Sequence, residues 1–146
     1  MGKGERENRM SENEEKKEYL KGYQDSIKKV KRLEEELIEL RLNKFFPSLI
    51  QDGMPHGAGS SDLSSYASRV DELERKLIKA RYENVQKFKK IKKAIENIQD
   101  KTEKRVIYLR YIKFFSWDRI MELTDIRPLY KILRIHGRAL KNVKID

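Results

Sequence analysis

No cysteine occurs in the chain, which excludes disulfides, thiolate metal ligands and cysteine nucleophiles and fits a reducing cytoplasm. Helix breakers are scarce, with three prolines and seven glycines, and half of them fall between Pro47 and Gly59. The rest of the sequence is therefore free to be helical. Long apolar runs are also missing: none approaches a membrane span, and the N-terminal residues lack the apolar stretch of a secretory signal. A soluble, cytoplasmic protein with no membrane partner is expected. Hydrophobic residues make up 38% of the 146 positions and charged residues 40%, little material for a large core. One or two small domains of elongated helical build follow from that balance.

Basic residues dominate what is present. Thirty-four Lys and Arg against 24 Asp and Glu give a net charge of +10, and a pI near 9.7 predicts attraction to polyanions, nucleic acid ahead of membrane surfaces. From Lys101 onward twelve basic residues face five acidic ones, so +7 of the +10 sits in the last third.

Residues 1–15 are almost wholly polar and read as a disordered tail. Residues 16–99 read as a helical hairpin with a loop at 44–61. In its first arm Leu20, Tyr23, Ile27, Val30, Leu33, Leu37 and Leu40 recur in steps of three and four, and the arm should stop before Pro47. Ser61 or Asp62 is placed to cap the second arm. There Leu63, Tyr66, Val70, Leu73, Leu77, Ala80, Asn84, Lys87, Ile91, Ala94 and Ile98 form a heptad seam with two polar interruptions. The simplest arrangement is a long antiparallel coiled-coil hairpin, with an intermolecular coiled coil as the alternative. Ile78, Val85, Phe88 and Ile95 lie off the seam and widen the apolar face, so another surface is expected to pack near its end.

Residues 100–146 read as a separate module of three short helices. Asp100 and Glu103 resemble a capping box, Ser116 can cap a helix over Trp117 to about Leu123, and Thr124-Asp125-Ile126 makes a turn. A last helix, beginning near Arg127 with Pro128 in its first turn, follows. Arg127, Lys131, Arg134, Arg138 and Lys141 step by four and three along it, within an arc of roughly 80°. The other side receives Ile132, Leu133, His136, Ala139, Leu140 and Val143. Solvated helix faces usually mix signs, yet no acid occurs from Arg127 to Lys144. A nucleic-acid-binding stripe is favoured over a plain surface.

Arg105-Val106-Ile107-Tyr108-Leu109-Arg110-Tyr111, Ser116-Trp117-Asp118-Arg119-Ile120 and Arg134-Ile135-His136-Gly137-Arg138-Ala139-Leu140 resemble the fourth conserved region of bacterial sigma factors. The pattern is more similar still to the ArpU and RinA type of phage late-gene transcription regulators. Upstream, Tyr19-Leu20, Tyr23, Met54-Pro55, Asp62 and Tyr66 match the general layout of such proteins. The chain departs from the pattern at Phe114-Phe115, where the family has glycine before the serine, at Met121, where alanine is common, and at Arg127-Pro128, in place of a capping serine or threonine. The resemblance implies a sigma-like helix-turn-helix, promoter or operator DNA as ligand, and a phage or prophage gene as source. Contact with RNA polymerase is a further implied partner. By position it puts the base-reading places near Leu129, Tyr130, Leu133 and Arg134, of which Arg134 is shared with the periodic stripe.

Other residues read more simply. Trp117 and His136 are expected to be core packing residues, Gly137 marks either a close contact or a tolerated defect, and Asn84 either fixes register or sits at a wet irregularity. The two histidines have no partners at metal-ligand spacing and no glycine loop is built to cradle phosphate, so no cofactor, metal site or catalytic residue is assigned. The reading is an all-α, non-enzymatic, sequence-specific regulator that binds double-stranded DNA through Arg127, Tyr130, Lys131, Arg134, Arg138 and Lys141 and dimerises through its hairpin or docks on polymerase. The alternatives are a small terminase-like DNA-packaging protein and a coiled-coil adaptor that does not bind DNA.

Overall fold

A computed structural model describes residues 2–45 and 60–145, with side chains for 12–45 and 63–145. Five helices and no strand occur among the described residues: α1 Gly2–Phe45, α2 Ser60–Glu96, α3 Lys101–Tyr111, α4 Trp117–Thr124 and α5 Leu129–Asn142. Most of the expected loop, residues 46–59, lies outside the described residues. The chain divides into two compact units, Ile27–Asn84 and Met1–Ser26 with Val85–Asp146.

In the first unit Leu33 and Leu37 of α1 bury against Leu77 and Ala80 of α2, with Val30, Val70 and Leu73 packed around them. These are the residues of the two predicted seams. Ion pairs join Arg41 to Glu74 at 2.6 Å, Arg81 to Glu34 at 3.0 Å and Lys29 to Glu83 at 3.8 Å. Numbers rise on one helix as they fall on the other, so the two segments run antiparallel. Each pair is substantially exposed and adds little stability, so burial of the leucines carries the association. Leu63 is exposed despite its seam position, and Ile78 is exposed too.

The second unit differs from one sequence expectation. Helix α1 begins at Gly2, so helix runs through the stretch expected to be a disordered tail. Lys, Glu and Arg there are good helix formers, and Asn13 and Lys16 have partners on α5, donating to the carbonyls of Gly137 at 3.4 Å and Lys141 at 2.9 Å. Residues 100–146 form one compact unit with residues 1–26 and 85–99, in keeping with a module too small to be stable alone. Ile107, Tyr111, Ala139, Leu140 and Val143 share one buried cluster with Leu20 of α1, Ile91, Ala94 and Ile95 of α2, and Ile98 just beyond α2. Three short helices bury too little apolar surface alone, and the ends of the long helices supply the remainder. Ile95 thus buries as the widened face foretold, and Phe88 packs on Tyr23 with ring centroids 5.4 Å apart, whereas Val85 is exposed.

Short-range chemistry sets the boundaries of the short helices. Asp100 caps α3 by accepting from the Glu103 N–H at 2.9 Å, although the Glu103 carboxylate accepts from Asn142 rather than closing the expected capping box. Ser116 caps α4 by accepting from the Arg119 N–H at 3.2 Å. Phe114, with φ of 60°, takes the left-handed turn before it, a conformation glycine would adopt freely, and its ring stacks on Tyr23 at 5.7 Å. At the end of α4, Asp125 is left-handed with φ of 54°, a conformation that aspartate tolerates better than most residues. Neither Ser61 nor Asp62 caps α2, which already begins at Ser60.

A second buried cluster joins Val106 and Leu109 of α3, Ile120 of α4 and Ile132 of α5. Around it Phe115, Trp117, Met121, Leu123, Ile126 and Ile135 pack as partly buried residues. Trp117 meets His136 edge-on at 4.9 Å, with Arg110 over its other side at 4.4 Å. The Tyr111 hydroxyl and His136 Nε2 are hydrogen-bonded at 2.7 Å. His136 is therefore a buried, hydrogen-bonded core residue, and burial together with nearby Lys17 and Arg110 pushes its pKa down to about 4. Burial likewise raises Tyr111 to about 12, so at neutral pH the pair is an uncharged link between α3 and α5.

Candidate nucleic-acid interface

Helix α5 is sharply two-sided. Ile132, His136, Ala139 and Leu140 are buried beneath it, so the opposite side must face outward. Tyr130, Lys131, Arg134, Arg138 and Lys141 are all exposed there, within an arc of roughly 100° at the helical repeat. Arg127 is exposed as well but lies in the turn, because α5 begins at Leu129 behind Pro128 as N-cap. The expected start near Arg127 is thus two residues early. Pro128 has no side-chain group to cap with, and its ring carries no N–H for the helix. Leu133, expected on the buried side, is instead 42% exposed, as Leu129 is 44% and Tyr130 59%. It stands about 40° from Leu129 around the helix, at the border between the buried and basic sides.

Charge on this face is uncompensated. Among the described residues no ion pair engages Arg127, Lys131, Arg134, Arg138 or Lys141. The Arg134 guanidinium lies over the Tyr130 ring, 5.8 Å from its centroid. Nearby cations are already committed. Arg105 donates to the Leu123 carbonyl at 3.2 Å, filling an orphan acceptor at the end of α4. Arg110 donates to the Phe115 carbonyl at 3.0 Å, and Arg119 pairs with Glu122 at 3.0 Å. Lys16 satisfies the Lys141 carbonyl and sets a positive charge at the negative end of α5. Arg105 and Arg110 thus brace chain carbonyls and Arg119 is ion-paired, whereas Arg127, Arg134 and Arg138 project into solvent from α5 and the turn before it.

Sequence periodicity located the projecting set. It missed the bracing set, since carbonyl partners 5 to 125 residues away leave no local pattern. No group of three or more His, Cys, Asp or Glu among the described residues is placed to hold a metal ion. No helix among them is long and apolar enough to cross a membrane. The chain matches no family model, no curated protein and no solved structure, so the likeness to sigma-type regulators rests on the motif residues themselves.

Proposed function

We propose that this all-helical protein is a non-enzymatic, sequence-specific regulator of transcription that binds double-stranded DNA. In this reading α4, the turn at 125–128 and α5 act as a sigma region 4-like helix-turn-helix, with α5 as the recognition helix in the major groove. The motif residues of α3 to α5 support kinship with the ArpU and RinA regulators, and with it control of phage or prophage genes. The observation that carries the proposal is the α5 face itself: four exposed cations and Tyr130, with Arg127 just ahead of them, none neutralised by a carboxylate among the described residues. A face kept only for solubility gains nothing from segregating one sign of charge, whereas a polyanion rewards it.

The roles divide by chemistry. Arg127, Lys131, Arg138 and Lys141 hold phosphates and set affinity and register, while Arg134 and Tyr130 reach base edges. The antiparallel arms act as a coiled-coil hairpin that pairs two copies, so that two recognition helices meet successive major grooves about 34 Å apart, or that docks on RNA polymerase.

Retention of genomic duplex fragments at about 150 mM salt tests the proposal, since loose electrostatic binding is weakened there. Enrichment of one upstream region is expected. Replacing Arg134 and Arg138 together by Ala should abolish that retention while helicity and melting stay intact. Unchanged retention by the double variant would remove α5 as the reading element.

A further inference from the structure

We propose that Leu129 and Leu133 read the C5-methyl groups of thymine, so that the recognised site carries A·T pairs next to the base pair addressed by Arg134. The inference rests on the duplex-DNA reading of α5 and adds to it the chemical identity of the bases.

Apolar residues of α5 differ widely in exposure, with Ile135 partly buried between the extremes. Ile132, Ala139 and Leu140 are at most 1% exposed, whereas Leu129 and Leu133 are 44% and 42% exposed. The two leucines border the buried side of the helix, yet both are left substantially in water, one turn apart. They occupy the first two turns of the helix, the part that meets base edges when a recognition helix enters the major groove. At 100° per residue the outward order is Leu129, Leu133, Gly137, Tyr130, Arg134, each step about 20–40°. A side chain at Gly137 would meet nothing within 4 Å, so no neighbour in the protein requires glycine at the middle of this face. The position is half-buried, with Asn13 of α1 donating to its carbonyl at 3.4 Å.

Major-groove edges offer one apolar group, the thymine methyl, among donors and acceptors that leucine cannot satisfy. Leu129 and Leu133 are about 6 Å apart along the axis, near two base-pair steps of 3.4 Å. Arg134, held over Tyr130 on the other flank, is suited to the paired acceptors of guanine. A protein partner for the leucines would have to accommodate the adjacent unpaired cations, which a duplex neutralises without further device.

The test begins with duplexes recovered from a random pool by the full-length protein. The best duplex is then resynthesised with deoxyuridine for thymidine, which deletes the methyl and leaves the pairing edge unchanged. Loss of each buried methyl should weaken binding about fourfold, so loss of both should weaken it about fifteenfold. Leu133→Ala should keep only the roughly fourfold preference for the thymidine duplex that Leu129 supplies, with the parent's affinity for the deoxyuridine form. Because Leu133 is exposed, the variant's helicity serves as a check on folding and should match the parent's. Equal binding of both duplexes by the parent overturns the methyl contact and leaves the DNA-binding reading standing. Failure to recover any duplex overturns both.

Discussion

Arg134 and Tyr130, one turn apart on α5, form a cation–π pair with the guanidinium carbon 5.8 Å from the ring centroid. The ring restricts an otherwise freely swinging side chain on the face that carries the unpaired cations. An exposed pair of this kind is worth about 0.5–1 kcal/mol. Tyr130→Ala should therefore weaken binding to a selected duplex about two- to fivefold beyond Tyr130→Phe, which keeps the ring and lacks only the hydroxyl that reaches a base edge. Both variants should melt as the parent does, because Tyr130 supports no core residue. Fluorescence anisotropy with a labelled duplex measures the difference.

Salt dependence should report the same face. The four cations assigned to phosphates, Arg127, Lys131, Arg138 and Lys141, give a slope of log K against log salt of about −3.6 if each displaces a counterion. Lys141→Ala should make the slope shallower by about one and weaken all duplexes alike.

His136 predicts acid sensitivity. Its folded pKa of about 4 lies below the ordinary value of 6.5, so the unfolded chain binds the additional proton between those values. Stability is accordingly full above about pH 7 and is lost as pH falls through 6.5 toward 4, by on the order of 2–3 kcal/mol. Urea unfolding at a series of pH values should show this, and His136→Gln should flatten the profile in that window. An unchanged profile would mean that the acid loss arises elsewhere.

Gly137 separates stability from binding. Alanine there meets no atom within 4 Å and should raise stability by up to about 1 kcal/mol, the helix-propensity difference. The same methyl stands in the middle of the reading face and should weaken duplex binding severalfold. A variant that gains stability with undiminished affinity would show that nothing approaches α5 closely at that point.

Ile120 and Ser116 address the frame that holds α5. Ile120 is fully buried where α3, α4 and α5 meet, so Ile120→Ala should cost about 2–5 kcal/mol. Ser116→Ala removes only the α4 cap and should cost about 1 kcal/mol. Thermal melting distinguishes the two.

Features written in local chemistry were readable in the chain. The caps at Asp100 and Ser116 and the stripe from Lys131 to Lys141 depend on neighbours within a turn or two, and the seam residues from Leu33 to Ala80 follow simple periodicity. What escaped depends on distant partners. Polar residues before Lys16 look unstructured until Asn13 and Lys16 are seen against α5, and Leu133 looks like core until Ile132 and His136 have filled the space beneath the helix. Tyr111 and His136, 25 residues apart, give no signal of their hydrogen bond.

The bond from Lys16 to the Lys141 carbonyl spans 125 residues, and Leu20 shares its cluster with Leu140 and Val143. A chain leaving the ribosome presents Leu20 long before those partners exist, so this unit is a late, high-contact-order product of synthesis. Its apolar patch on α1 must wait in solvent until the final helix is released, which makes the nascent chain vulnerable to proteases and premature association over that interval. Trimming either terminus would strike the same core, and a fusion partner is better carried on a flexible spacer than joined rigidly to the last turn of α5.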